Sequence, residues 1–142
     1  MIKNNFLLIW FLSILLFCCK HIDSQKNVGE IYFLPEDYHT LVPLNCNEFY
    51  FLNNQVYKLQ INDQILINNL LNEFNKLDKS VKIENDFILD VRYRIVINDS
   101  LIFCIDDFGR TLINSNYNSE LKMFNNIKHY IGNNENEAVK IN

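Results

Sequence analysis

The sequence predicts an α+β fold: an antiparallel sheet of four to six strands, built from hairpins and a meander, with two amphipathic helices packed on one face. Three observations carry this expectation. Val91, Tyr93, Ile95 and Ile97 alternate with Arg92, Arg94 and Val96, the period-two pattern of a strand. Residues 101–106 read as a return strand whose register can be derived from which side chains would face one another. Ile67, Leu70, Leu71, Phe74 and Leu77, and later Leu121, Phe124, Ile127 and Ile131, recur at helical spacing.

Residues 31–34 form a short apolar run stopped by Pro35, which predicts the first strand. Residues 35–47 hold both prolines of the chain and read as a loop. In residues 48–61, Phe49-Tyr50-Phe51-Leu52, the pair Asn53-Asn54 and Val56-Tyr57-Lys58-Leu59 predict a hairpin. Its turn lacks the glycine that fixes a tight hairpin, so its register stays open. Asn62 or Asp63 can cap a helix over 63–77.

After a polar connection, residues 88–98 form the clearest strand. A three-residue loop, Asn98-Asp99-Ser100, pairs Ile97 with Leu101, Ile95 with Phe103 and Tyr93 with Ile105, all apolar and on one face. The other face then pairs Arg94 with Cys104 and Arg92 with Asp106. A two-residue loop would set Ser100, Ile102, Cys104 and Asp106 on the Tyr93 face, a poorer core. Residues 107–110 make the next turn and 111–114 a further strand. A helix over 120–131 follows, with Ser119 as its cap and Gly132 as its stop. Residues 133–142 read as a frayed tail.

Hydrophobic residues make up 49% of the chain, enough for one packed core and against global disorder. After Cys19 there are 12 basic and 17 acidic residues, a formal charge of −5. That balance argues against a nucleic-acid partner and against a basic membrane-surface patch. Asparagine is frequent, often in pairs such as Asn68-Asn69 and Asn133-Asn134, and reads as a compositional bias. No repeat of fixed period occurs.

The first residues carry a different message. Lys3 is followed by an apolar run over 6–17 and then by Cys18-Cys19. The run is shorter than the ~20 residues a bilayer-spanning helix takes and fits the apolar region of a signal peptide. Leu16-Phe17-Cys18-Cys19 resembles a loose bacterial lipobox, with Leu at −3, a small residue at −1 and Phe17 bulky between them. The resemblance covers the first twenty residues only. It implies a signal peptide over 1–18 and lipidation of Cys19. Residues 20–30 are polar with no periodic apolar pattern and complete a flexible tether over 19–30, and the length that remains predicts a single domain over 31–132. The protein would then be anchored by lipid to a membrane of the cell envelope, on the non-cytoplasmic side. A secreted protein cleaved near the same point, or an uncleaved N-terminal anchor, are the alternatives.

Little in the remaining residues points to catalysis. Cys46 and Cys104 could pair in an oxidising compartment or remain two buried thiols. A cysteine nucleophile paired with His39 has no flanking signature. His21, His39 and His129 lie apart, with no ligand pair at metal-binding spacing, so neither metal nor cofactor is expected. Asp107-Phe108-Gly109 spells a kinase triplet, but the rest of that motif set is missing and the triplet reads as a turn. With only three glycines there is no phosphate-cradling loop. Asp106 and Asp107 are adjacent and would point apart. Asn98-Asp99-Ser100 matches the N-glycosylation sequon. Arg92 and Arg94, on one face of a strand, remain the best candidates for holding a partner, because arginine is favoured at interfaces. The expectation is a non-catalytic, membrane-tethered module that binds a protein. A small secreted enzyme using a cysteine or carboxylate, or a purely structural envelope lipoprotein, are the other readings.

Overall fold

The computed structural model describes residues 26–77 and 88–141. The expected signal segment, Cys19, His21 and the first part of the tether lie outside the described residues. The chain forms β1 (Gly29–Phe33), a 3₁₀-helix (Glu48–Gln55), β2 (Tyr57–Ile61), α1 (Gln64–Lys76), β3 (Tyr93–Ile97) and β4 (Leu101–Ile105). It continues with β5 (Arg110–Ile113), β6 (Tyr117–Glu120), α2 (Phe124–Asn134), a short 3₁₀-turn (Glu135–Glu137) and β7 (Val139–Lys140). The fold is α+β. Its sheet has seven antiparallel strands rather than four to six, in the order β6-β5-β4-β3-β1-β2-β7.

The β3–β4 register is the one derived from the apolar face. Ile97 faces Leu101, Ile95 faces Phe103, Tyr93 faces Ile105 and Arg94 faces Cys104. The turn works without glycine because Asn98 and Asp99 both adopt left-handed backbone, φ 50° and 56°. Asparagine and aspartate tolerate that region best among side-chain-bearing residues. Asn114 and Ser115 repeat the device between β5 and β6, at φ 48° and 58°.

Four expectations are corrected. The run Phe49–Leu52 is helical, not a strand. Asn45 Oδ1 accepts the N–H groups of Asn47 and Glu48, at 3.0 and 2.9 Å, while Glu48 Oε2 accepts the N–H of Asn45 at 3.2 Å. That reciprocal cap starts a helix, and spacing by three then buries Phe49 while Phe51 stays exposed. The strand expected over 88–98 is in the sheet only from Tyr93. Residues 117–120 pair as β6, so the last helix starts at Phe124 behind Met123 rather than behind Ser119, and it runs through Gly132. Finally, residues 133–142 are not wholly a tail, because Val139–Lys140 pair with Tyr57 and Lys58.

α1 begins where expected. Asp63 caps it, its carboxylate accepting the N–H groups of Ile65 and Leu66 at 2.8 and 3.2 Å. One buried cluster joins Leu66, Ile67 and Leu70 of α1 and Phe124, Ile127 and Ile131 of α2 to strand residues such as Ile31, Ile95, Phe103 and Ile113. Burying each such side chain contributes about 1.5–3 kcal/mol. Alternate strand residues point the other way. There a second cluster gathers Leu34, Leu44, Cys46, Phe49 and Val56 with Leu89, Val91 and Cys104. The segment from Leu34 to Val56 thus covers the second face of the sheet.

Candidate functional site

That cover decides where the candidate arginines lie. Arg94 sits on the covered face and is 6% exposed. Its Nη1 donates to the carbonyl oxygen of Cys46 at 2.8 Å and lies 3.9 Å from the Cys46 sulfur. Arg94 therefore tethers the cover to β3 and is not offered on an open sheet face. Arg92, just before the assigned strand, is also tied to the cover. Its Nη1 donates to the Tyr38 carbonyl at 2.8 Å, and its Nη2 donates to Asp90 Oδ2 at 2.6 Å. Asp107 stands 4.0 Å from its Nε. The expected Arg92–Asp106 pair is not formed. Asp106, 2% exposed, instead accepts the N–H groups of Phe108 and Arg110 at 2.9 Å each and pairs with the Arg110 guanidinium. A buried carboxylate needs this saturation.

Cys46 and Cys104 are joined in a disulfide across 58 residues, with Cα atoms 5.7 Å apart. The bond fixes the cover to β4, one strand away from where Arg94 holds it.

The arrangement with room for a ligand lies at the sheet end formed by Phe33, Tyr93 and Ile105. Two adjoining cavities of about 410 and 310 Å³ share Leu34, Pro35, Glu36, Tyr93 and Lys128 in their walls. The larger continues along α2 past Ile131 to Glu135. The smaller reaches Tyr38, His39, Arg92 and Asp107. Together they form a groove between the start of the cover and α2.

Tyr93 lies at its centre. Burial pushes its hydroxyl up, and the nearby Asp107 and Glu36 carboxylates push it further, to a pKa of about 12. The ring packs edge-on to Phe124, with centroids 5.4 Å apart. Lys128 Nζ lies 5.9 Å from the Tyr93 ring centre and 5.1 Å from that of Phe124, within cation–π range. The groove thus has an apolar floor with charged groups at its edge. Such a surface can hold a partner's side chain and orient it.

Of the sequence candidates, Arg92 and His39 border the groove and Arg94 does not. His129 lies elsewhere on α2, its Nε2 3.0 Å from the Asn133 amide. Among the described residues no three His, Cys, Asp or Glu side chains converge as a metal site would. Also among them, no helix is long and apolar enough to cross a membrane. Asn98 of the sequon is committed locally: its Oδ1 accepts the N–H of Val28 at 3.1 Å and its Nδ2 donates to Asn27 at 2.9 Å. The sequence offers Glu36 and Asp37 only beside His39, as groups that could bind a metal but lack a ligand pair at credible spacing, and it does not single out Lys128 or Glu135. The pattern Glu36-Asp37-Tyr38-His39 was the available signal, but its partners on α2 are about ninety residues away in the chain.

Comparison with protein-family models, with curated proteins and with solved structures found no match to this chain.

Proposed function

We propose that the chain is a membrane-tethered, non-catalytic protein of the cell envelope that acts as a small protein-binding module, of the inhibitor, immunity-type or accessory-subunit kind. The groove between the cover and α2 is the observation that carries the binding reading. It opens at the Phe33 end of β1, while the chain enters the domain at the opposite end, where Val28 bonds Asn98. A module tethered through residues before 26 would then hold its groove away from the membrane. The disulfide supports an oxidising compartment on the non-cytoplasmic side, in keeping with the reading of residues 1–18 as a signal and of Cys19 as the lipidated residue. Of the two arginines, only Arg92 borders the groove, so the partner is proposed to meet the groove and not a bare sheet face. The alternative of a cysteine-based enzyme finds no support in Cys46 and Cys104, since each sulfur is bonded to the other.

The test is crosslinked affinity capture of the tagged protein from its native membranes, with Cys19→Ser in parallel. One partner recovered at stoichiometric yield, with and without the anchoring cysteine, is the expected result. Recovery of none, with an intact disulfide, would overturn the binding reading.

A further inference from the structure

From the groove's lining we infer that it receives a lysine or arginine side chain of a protein partner, an inference that rests on the binding-module reading. The floor is apolar, formed by Phe33, Leu34, Pro35, Tyr93 and Ile131. Glu36 and Asp37 stand on one side and Glu135 on the other. All three are exposed. Among the described residues none of them takes part in an ion pair or a side-chain hydrogen bond. Other acids near this end are engaged, Asp90 by Arg92 and Asp106 by Arg110. Two cations line the groove, but Lys128 is drawn onto the Tyr93 and Phe124 rings and Arg92 is held by Asp90 and the Tyr38 carbonyl, so neither is ion-paired to these three carboxylates.

Lysine and arginine have the complementary shape, a long apolar stem ending in a charge. The stem would lie along the floor and the head would reach the rim. A metal ion fits less well, because among the described residues these carboxylates belong to no group of three His, Cys, Asp or Glu side chains that could hold one. A phosphate-bearing partner would meet three negative charges. The groove also runs on past a single side chain, since its two cavities share five wall residues, which suits a segment of polypeptide rather than a free amine.

The probe is a short neutral-ended peptide carrying two lysines, titrated into the ¹⁵N-labelled, disulfide-intact full chain in detergent, beside its counterpart carrying two glutamates. The lysine peptide should shift the amides of Glu36, Asp37 and Glu135, and its affinity should fall at least about tenfold in Glu36→Gln/Asp37→Asn/Glu135→Gln. Glu73→Gln/Glu120→Gln, which removes acids elsewhere, should leave it unchanged. Absence of shifts in the groove, an equal loss in the control variant, or preference for the glutamate peptide would overturn the inference. So would a dimer of the chain that the triple variant dissolves, since the occupant would then be a second copy. The two readings fail separately. Captured partner crosslinks lying away from the groove would refute the groove but not the binding module. Lysine-peptide binding with no partner captured would do the reverse.

Discussion

Tyr93 shows how one residue serves core and groove together. Its ring belongs to the buried cluster, while its hydroxyl faces Asp107 at the groove end. A tyrosine in the unfolded chain titrates near 10, whereas this one titrates at about 12. The folded pKa is the higher, so the contribution is fully present below pH 10 and is lost as pH rises through 12. Denaturant titrations at stepped pH should show stability falling across that window. Tyr93→Phe should flatten it, and an unchanged slope in the variant would place the effect elsewhere. Glu30 has the opposite sense. Burial pushes its carboxyl up, but Lys58 at 2.7 Å and the Tyr32 hydroxyl outweigh that and hold it below the ordinary range. Its contribution is present above the usual carboxylate pKa and lost on acidification.

At the scale of elements, α2 carries a testable irregularity. Gly132 lies inside the helix, exposed, and a Cβ there would meet nothing within 4 Å. Gly132→Ala should therefore stabilise the protein by about 0.5–1 kcal/mol, seen as a higher Tm. Gly109 is its counter-example. At φ 84° and with Phe124 side-chain atoms 3.2 Å from where a Cβ would sit, it cannot be replaced without strain. The elements the sequence foretold were those fixed by local patterns, such as the Asp63 cap and the Tyr93–Ile105 pairing. Those it did not foretell depend on competition or distance. The aromatic run at Phe49 has strand propensity, but the Asn45–Glu48 cap overrides it. β6 and β7 are polar and short, and only pairing with strands already in place gives them their form. Arg92 and Arg94 alternate in the sequence, yet one borders the groove and the other is buried. Their different surroundings depend on residues 34–56, which no pattern near them announces.

For the whole molecule, the disulfide is the main constraint on the cover. That segment has one 3₁₀-helix and no strand pairing of its own between β1 and β2. Cys46→Ala/Cys104→Ala should cost roughly 2–5 kcal/mol, read as a lower denaturant midpoint. The loss should fall first on the Leu34–Val56 cover, which would show early hydrogen exchange while β3 and β4 stay protected. Uniform loss of protection would instead mean that cover and sheet unfold as one unit.

The order of the strands bears on how the protein comes into being. β1 is the first strand among the described residues, yet it lies inside the sheet, between β2 and β3. Ile31 finds its β3 neighbour in Ile95, 64 residues later. Closing so long a loop is entropically costly and slows folding. Until residues 93–97 are available, a growing chain presents Ile31 and Phe33 on a strand edge that lacks its β3 neighbour. Such an edge invites association with other chains. The middle of the sheet is thus completed late, and the yield of folded protein depends on how well that exposed interval is shielded.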